Sequence, residues 1–244
     1  MNHDGNRPVV AEVNDLTILA PEHAEAVRLL WGGSLGRTVR CVPSRRTLQA
    51  SDRGRLLYAK RYDTARGADA EWRGLGQLAD AGFDVPARVA HLEAPGASMA
   101  VYAAVPGRSL DAWAVDAVRE GWLQAWIDYV VAAVAPLARR LHERGWVHRA
   151  LNLSHLFAVD PRRPEPPALI DVERVFRPRW RLRRWRVKDL ASLLASCPGD
   201  VPGRAKGRFL LRYADDWRRS EVRALGRAVE AKAARIQRHT PRFG

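Results

Sequence analysis

At 244 residues with 47% hydrophobic side chains, the chain is long enough to bury its own core and too apolar for a disordered tail. Basic residues outnumber acidic ones 41 to 27, a net charge of +14 carried chiefly by arginine, so the surface seeks anions and favours forked contacts with phosphate. Two distant cysteines, Cys41 and Cys197, with no CxxC pair or Cys/His cluster, argue against structural zinc and fit a reducing cytoplasm.

The start, MNHDGNRPVV, has no basic stretch followed by an apolar one, so no signal peptide is expected. The longest apolar run, Tyr129 to Ala138, contains Pro136 and is too short to span a bilayer. The first hundred residues read mostly as β structure. TVRCV (38–42) and LLYAKRY (56–62) are strand-like, and Asp52-Arg53-Gly54 signals a turn between TLQA and LLYA. A helix follows, with Asp69 as its expected cap, Trp72, Leu75, Leu78 and Ala79 on one face, and Gly82 as its stop. PARVAHL (86–92) and SMAVYAAV (98–105) read as two more strands around a Pro95-Gly96 turn.

The pattern turns helical after Val105-Pro106-Gly107-Arg108. Leu123, Ile127, Val130, Val134, Leu137 and Leu141 recur at three- and four-residue steps, which predicts one long buried helix, kinked by Pro136 and stopped by Gly145. A short strand-loop-strand unit should follow, VHRALNLSHLFAVD then PALIDVERV, and helices over about 188–196 and 203–237 close the chain. The expected architecture is α+β: a small β-rich N-lobe over 1–104 with one key helix, a hinge near 103–108, and a mainly helical C-lobe over 105–244. A cleft between two lobes is where a nucleotide would sit.

Two constellations carry chemistry. Lys60 in a strand and Glu71 opening the next helix make the pair with which protein-kinase-like enzymes hold ATP phosphates. Taken alone, a strand lysine is more often simply solvated. The second constellation is VHRALNLSHLF followed by LIDVERV. Kinases place H-R-D-x-x-x-x-N in a catalytic loop and a metal-binding Asp shortly after. Here His148-Arg149 are present, Ala150 stands where the Asp belongs, His155 stands where the Asn belongs, and Asp171 follows Leu169-Ile170. The bland alternative is a helix–strand joint with buried histidines; the order Lys, Glu, His-Arg, Ile-Asp argues against it.

These residues resemble the lipopolysaccharide core heptose kinases, the Kdo/heptose kinase group, themselves similar to protein kinases. The resemblance covers roughly 30–240. It rests on RRTL (45–48), Lys60, Glu71-Trp72 before GFDVP, His148-Arg149 with His155, Ile170-Asp171, Arg184-Trp185 with Lys188-Asp189-Leu190, and EAKAARIQRHT (230–240). It implies a two-lobe protein-kinase-like fold using ATP and Mg2+. Lys60 would bind the phosphates and Glu71 anchor it; Asp171 and His155 would hold the metal; Asp189 would brace the catalytic loop, and His148 belongs to that loop. Backbone at Ala103–Ala104 would meet adenine. The turn Gly33-Ser34-Leu35-Gly36 would cover the phosphates, although it lacks the full G-x-G-x-x-G pattern.

Ala150 is the departure, because alanine cannot accept the proton of an attacking sugar hydroxyl. Two readings stand: an isolated loss within an active lineage, or a natural pseudokinase that binds nucleotide or glycolipid without catalysis. The run Arg174, Arg177, Arg179, Arg181, Arg183, Arg184 and Arg186, interleaved with Phe176, Trp180 and Trp185, occupies the stretch of a kinase activation segment. The resemblance makes the inner core of lipopolysaccharide its partner, with Arg183, Arg184, Arg186, Trp180 and Trp185 as acceptor-binding residues and a peripheral place on the cytoplasmic face of the inner membrane. A solvated basic loop is the plain alternative. The arginines of the last helix could rest on an anionic membrane surface or hold an acidic protein. A nucleic-acid groove is the rival of another class, since arginine with aromatics is its signature too.

Overall fold

The computed structural model describes residues 13–199 and 201–238. The expectations for the first ten residues, and for His239 and Thr240 of the terminal motif, lie outside them. The chain divides into two compact units, Met1–Val105 and Pro106–Gly244.

The first unit is a six-stranded sheet in the order β1-β5-β6-β4-β3-β2 with every neighbour antiparallel. Its strands are β1 (Asp15–Ile18), β2 (Arg37–Val42), β3 (Arg45–Asp52), β4 (Arg55–Tyr62), β5 (Arg88–Ala94) and β6 (Ala97–Ala103). Arg53 and Gly54 both take positive φ, 48° and 74°, the primed turn whose twist suits a two-residue hairpin. The two faces of the sheet separate by strand alternation. Leu57 and Ala59 of β4, Ala90 and Leu92 of β5, and Met99 and Val101 of β6 join Val27, Leu30 and Trp31 of α1 (Ala24–Gly32) in one core cluster. Lys60 has the opposite parity. It lies across from Ala100, which is opposite His91, and this face carries α2 (Asp69–Asp80). Trp72 of α2 packs on His91 with ring centroids 5.5 Å apart.

Asp69 is not the cap of α2 but its first residue, after Ala68, and its carboxylate stands 3.1 Å from His91 Nε2. Ala79 faces solvent, because the buried face is Glu71, Gly74, Leu75, Gly76 and Leu78. Periodicity alone had no reason to bury a glutamate.

The second unit contains α3 (Leu110–Arg119), α4 (Leu123–Tyr129), α5 (Ala135–Glu143), α6 (Leu182–Ala195), α7 (Gly203–Tyr213) and α8 (Arg219–Gln237). A three-stranded sheet joins them, β7 (Arg108–Ser109), β8 (Leu156–Ala158) and β9 (Ala168–Leu169) in that order. The expected long helix is α4 and α5 joined by a π segment, Val130–Val134, in which the Ala135 amide bonds the Val130 carbonyl. Proline lacks the amide and crowds the carbonyl four residues back. The widened turn just before Pro136 is how the helix accommodates it without ending.

Two boundaries differ from expectation. The helix expected near 188 begins at Leu182, so Arg183, Arg184 and Arg186 of the arginine-rich run are helical. The single helix expected over 203–237 is two, because Arg139 of α5 pairs with Asp215 and Asp216 in the intervening turn, and Trp217 folds onto Tyr213. Among the described residues no helix is long and apolar enough to cross a membrane.

Candidate active site

In the first unit, strand β4 and helix α2 bring Lys60 and Glu71 together: Lys60 Nζ donates to Glu71 Oε2 at 2.9 Å. The lysine is 6% exposed and the glutamate wholly buried. A solvated strand lysine is therefore ruled out. Burying two charges is tolerated here because each meets the other at hydrogen-bond distance.

The glycine turn is not a phosphate cradle. It joins α1 to β2, and the amides of Gly33, Ser34 and Leu35 bond the carbonyls of Leu30 and Leu29, capping the helix. Gly33, at φ 76°, is the left-handed cap that ends α1, and Gly36 is tight because a Cβ would stand 2.8 Å from Leu30 Cδ2. The turn lies at the negative end of the helix dipole with three of its amides spent, which disfavours a phosphate there. The hairpin beside the lysine strand is β2–β3, closed by Pro43-Ser44, with Thr47 directly opposite Lys60. The amides of Ala103 and Ala104 are also occupied, by the carbonyls of Ala87 and Leu56, so neither can donate to adenine.

In the second unit the loop after α5 is held by Asp189 of α6. This fully buried carboxylate accepts the His148 amide at 2.7 Å and lies 3.3 Å from His142 Nε2. A carboxylate only accepts, so His142 donates through Nε2, and its Nδ1 accepts from the Tyr213 hydroxyl at 2.8 Å. Burial pushes the Tyr213 phenol well above its usual range and keeps it a donor. The brace therefore extends from the loop through Asp189 and His142 to α7.

His148 is not placed for proton transfer to substrate. It is fully buried, and its Nε2 donates to the Ile170 carbonyl at 3.2 Å. Burial brings its pKa down to about 4, against the opposing pull of Asp189, so the ring is neutral near pH 7. Its work is to tie the loop to the strand end that carries Asp171.

Asp171 follows β9 in left-handed backbone, φ 55° and ψ 53°, a conformation asparagine and aspartate tolerate better than most residues. His155 Nε2 stands 3.4 Å from Asp171 Oδ2, and His155 Nδ1 lies 2.9 Å from the Ala150 carbonyl. A carbonyl cannot donate, so Nδ1 carries a proton, and Nε2 is the ring atom that faces the carboxylate. Two lone pairs at that distance are stable with a proton or a cation between them, and a nitrogen and an oxygen at this spacing suit adjoining corners of a divalent coordination shell. The residues thus fit a divalent metal. Glu173, in the 3-10 turn Val172–Arg174, places a carboxylate oxygen within 4.8 Å of the Asp171 oxygen. Sequence reasoning missed it. The available signal was a second acid two residues after the strand-end aspartate. Ala150, which the resemblance sets at the base position, orients His155 through its main-chain carbonyl and has no side-chain proton acceptor.

The arginine-rich run separates by function. Trp180 is 79% exposed and Arg183 is exposed. Trp185 is half-buried, edge-on to Phe176 with centroids 5.2 Å apart. Arg186 is not free for an acceptor, because its Nη2 donates to the His142 carbonyl at 3.1 Å and caps α5. Elsewhere in this unit α4, the π segment, α6, α7 and α8 line an apolar cavity with Trp126, Val130, Leu190, Leu194, Phe209 and Val229.

The sequence model of the Lipopolysaccharide kinase (Kdo/WaaP) family matches residues 54–225. No curated protein sequence matches the chain. Among solved structures, one described as "WaaP in complex with acyl carrier protein" matches with a TM-score of 0.73 at 26% identity, over 91% of this chain and 99% of that one. An aminoglycoside-3'-phosphotransferase of type VIII matches with a TM-score of 0.57 at 23% identity, over 86% of this chain and 98% of the other. The fold is α+β and protein-kinase-like, with the β-rich and helical parts expected of it.

Proposed function

The chain belongs to the lipopolysaccharide kinase (Kdo/WaaP) family, and we propose that it binds ATP with Mg2+ and descends from enzymes that phosphorylate a heptose of the lipopolysaccharide inner core, with its own phosphoryl transfer impaired at Ala150. In that reaction a sugar hydroxyl oxygen bonds to the γ-phosphorus, the bond from that phosphorus to the ADP oxygen breaks, and the hydroxyl proton needs an acceptor. Bound Mg2+ supplies charge neutralisation along the phosphates. Lys60, steadied by Glu71, binds phosphate oxygens. Asp171 and His155 hold the metal, with Glu173 beside them. His148 and Asp189 keep the loop in place. Only the proton acceptor lacks a side chain, so the proton must pass to water or to a phosphate oxygen, and a positioned base is ordinarily worth ~10²–10⁴ in rate.

The observation that supports the reading is the hydrogen bond from His155 to the Ala150 carbonyl, which fixes the ring facing Asp171 although Ala150 offers no side-chain base. The pseudokinase reading uses the same geometry for binding alone. Ala150→Asp separates the two. In a folded protein that binds ATP, the substitution should raise ATP consumption with purified core glycolipid by roughly 100-fold or more. No gain would favour a binding-only protein.

Arg183 and Arg184 with Trp180 are proposed to receive the acceptor, and the chain to work peripherally on the cytoplasmic face of an anionic inner membrane. Exposed arginines on α7 and α8, such as Arg212, Arg219 and Arg223, support an acidic partner, of the kind the solved relative holds in its acyl carrier protein. The apolar cavity among α4, α6, α7 and α8 has the chemistry to take a hydrocarbon chain.

A further inference from the structure

A nucleotide triphosphate carries several negative charges, and the Lys60–Glu71 pair, closed at 2.9 Å, is neutral as a whole. The turn Gly33–Gly36 has three of its amides spent on α1 and does not make up the difference. The β2–β3 hairpin beside the lysine strand carries side chains that do.

Residues directly opposite in an antiparallel ladder share a face of the sheet, with Cβ atoms about 4.5–5.5 Å apart. Thr47 of β3 is opposite Lys60 of β4, and Arg40 of β2 is opposite Thr47, so they form one row across the sheet. A bulge at Val39 sets the last member in place. In a regular strand Thr38 and Arg40 would share a face. Here Thr38 lies across from Leu48, on the apolar side with α1, and Arg40 lies across from Thr47, on the lysine side. Helix α2 packs on that side over β5 and β6, whereas β2 is the far edge strand. Thr47 is half-buried and Arg40 exposed. A short threonine between two long cationic side chains leaves a notch whose floor is a hydroxyl.

Among the described residues, neither the Thr47 hydroxyl nor the Arg40 guanidinium has a hydrogen-bond or ion-pair partner. The neighbouring arginines are engaged or turned away. Arg37 donates to Gln49 at 2.6 Å, Arg45 lies over the Tyr62 ring at 5.7 Å, and Arg46 faces the opposite side, across from Arg61 and Cys41. Arg40 keeps its whole fork.

We infer that Arg40 and Thr47 complete the phosphate site begun by Lys60: the Thr47 hydroxyl donates to a phosphate oxygen, and the Arg40 guanidinium forks onto the outer oxygens of the phosphate chain. Side chains on a bulged hairpin thereby do the work of a glycine-rich cradle, and the threonine of RRTL serves nucleotide binding. A guanidinium offers paired donors that match phosphate geometry, and hydrogen bonds to a charged acceptor are about twice as strong as neutral ones. The inference rests on the nucleotide reading of Lys60.

The test titrates the full chain by calorimetry with magnesium-ATP and with magnesium tripolyphosphate, which has the phosphates and no base. Thr47→Val keeps the shape of the side chain and removes its hydroxyl; Arg40→Gln removes one exposed charge. Each should weaken both ligands about tenfold, the loss expected for one hydrogen bond to a charged group. Thr47→Ser should restore binding. Arg46→Gln, an equal loss of charge on the opposite face, should bind both ligands as the unsubstituted chain does. If Thr47→Val does not fold by circular dichroism, Arg40→Gln on the exposed edge strand decides alone. Unchanged affinity in Thr47→Val and Arg40→Gln overturns the site. So does weakening of ATP without tripolyphosphate, which would put the two side chains at the base. Equal weakening by Arg46→Gln would make the arginine effect one of general surface charge and overturn the part of Arg40. An unsubstituted chain that binds neither ligand removes the nucleotide reading itself, and this site with it.

Discussion

The Lys60–Glu71 pair can be taken apart one charge at a time. Its side chains are 7% and 1% exposed, and they meet at 2.9 Å. Lys60→Met keeps most of the stem's volume and removes the ammonium, so the cost is electrostatic: Glu71 is left buried without its lysine, at about 3–5 kcal/mol. Lys60→Met combined with Glu71→Leu removes both charges, and such replacement is neutral or stabilising by about 1–4 kcal/mol. The double variant should therefore be more stable than Lys60→Met, with a coupling energy of several kcal/mol where independent sites would simply add. Urea unfolding of the full chain, followed by tryptophan fluorescence, measures this, since Trp31 and Trp72 lie in the same unit. Nucleotide separates stability from function. At 100 times its dissociation constant, magnesium-ATP should stabilise the unsubstituted chain by about 2.7 kcal/mol. The single and double variants should both lose that increment, although the double one is well folded. Additive destabilisation would refute the pairing argument. An ATP response surviving in the double variant would refute the phosphate role of Lys60.

Three further outcomes are expected. Burial pushes the Cys197 thiol up to about 11, so at pH 8 its thiolate fraction is about one part in a thousand; iodoacetamide should label exposed Cys41 and reach Cys197 only in denaturant, as peptide mass measurement would read. Glu173→Gln should weaken Mn2+ binding, followed by electron paramagnetic resonance, by about tenfold, and equal binding would remove Glu173 from the metal site. Replacing Arg183 and Arg184 with Ser should weaken binding to lipopolysaccharide-bearing liposomes in a salt-dependent way, the Debye length being about 8 Å at physiological ionic strength, and leave ATP binding unchanged; Arg186→Ser should instead lower stability, because its guanidinium caps α5.

The sequence alone determined the elements whose cause is local. The β3–β4 hairpin was legible because Asp52-Arg53-Gly54 supplies the positive φ its turn needs, and α2 because an apolar stripe ends at Gly82. The order of Lys60, Glu71, His148-Arg149, His155 and Asp171 was legible as a motif, and so was its departure at Ala150 from the pattern of the family it resembles. Tertiary structure decided what depends on partners distant in sequence. Gly33–Gly36 is a helix cap because α1, a helix without a strong starting signal, ends there and takes its amides. Arg186 is structural because α5 leaves a carbonyl 44 positions away in need of a donor. The helix expected over 203–237 is two because Arg139 holds Asp215 and Asp216. Glu173 joins Asp171, and Arg149 and Lys188 meet beside Trp185, because residues far apart in the chain converge in space. Turn chemistry and periodicity act over a few residues and can be read along the chain. Charge compensation acts through space, and which arginine is a ligand and which a brace follows from the carbonyl or carboxylate that folding brings beside it.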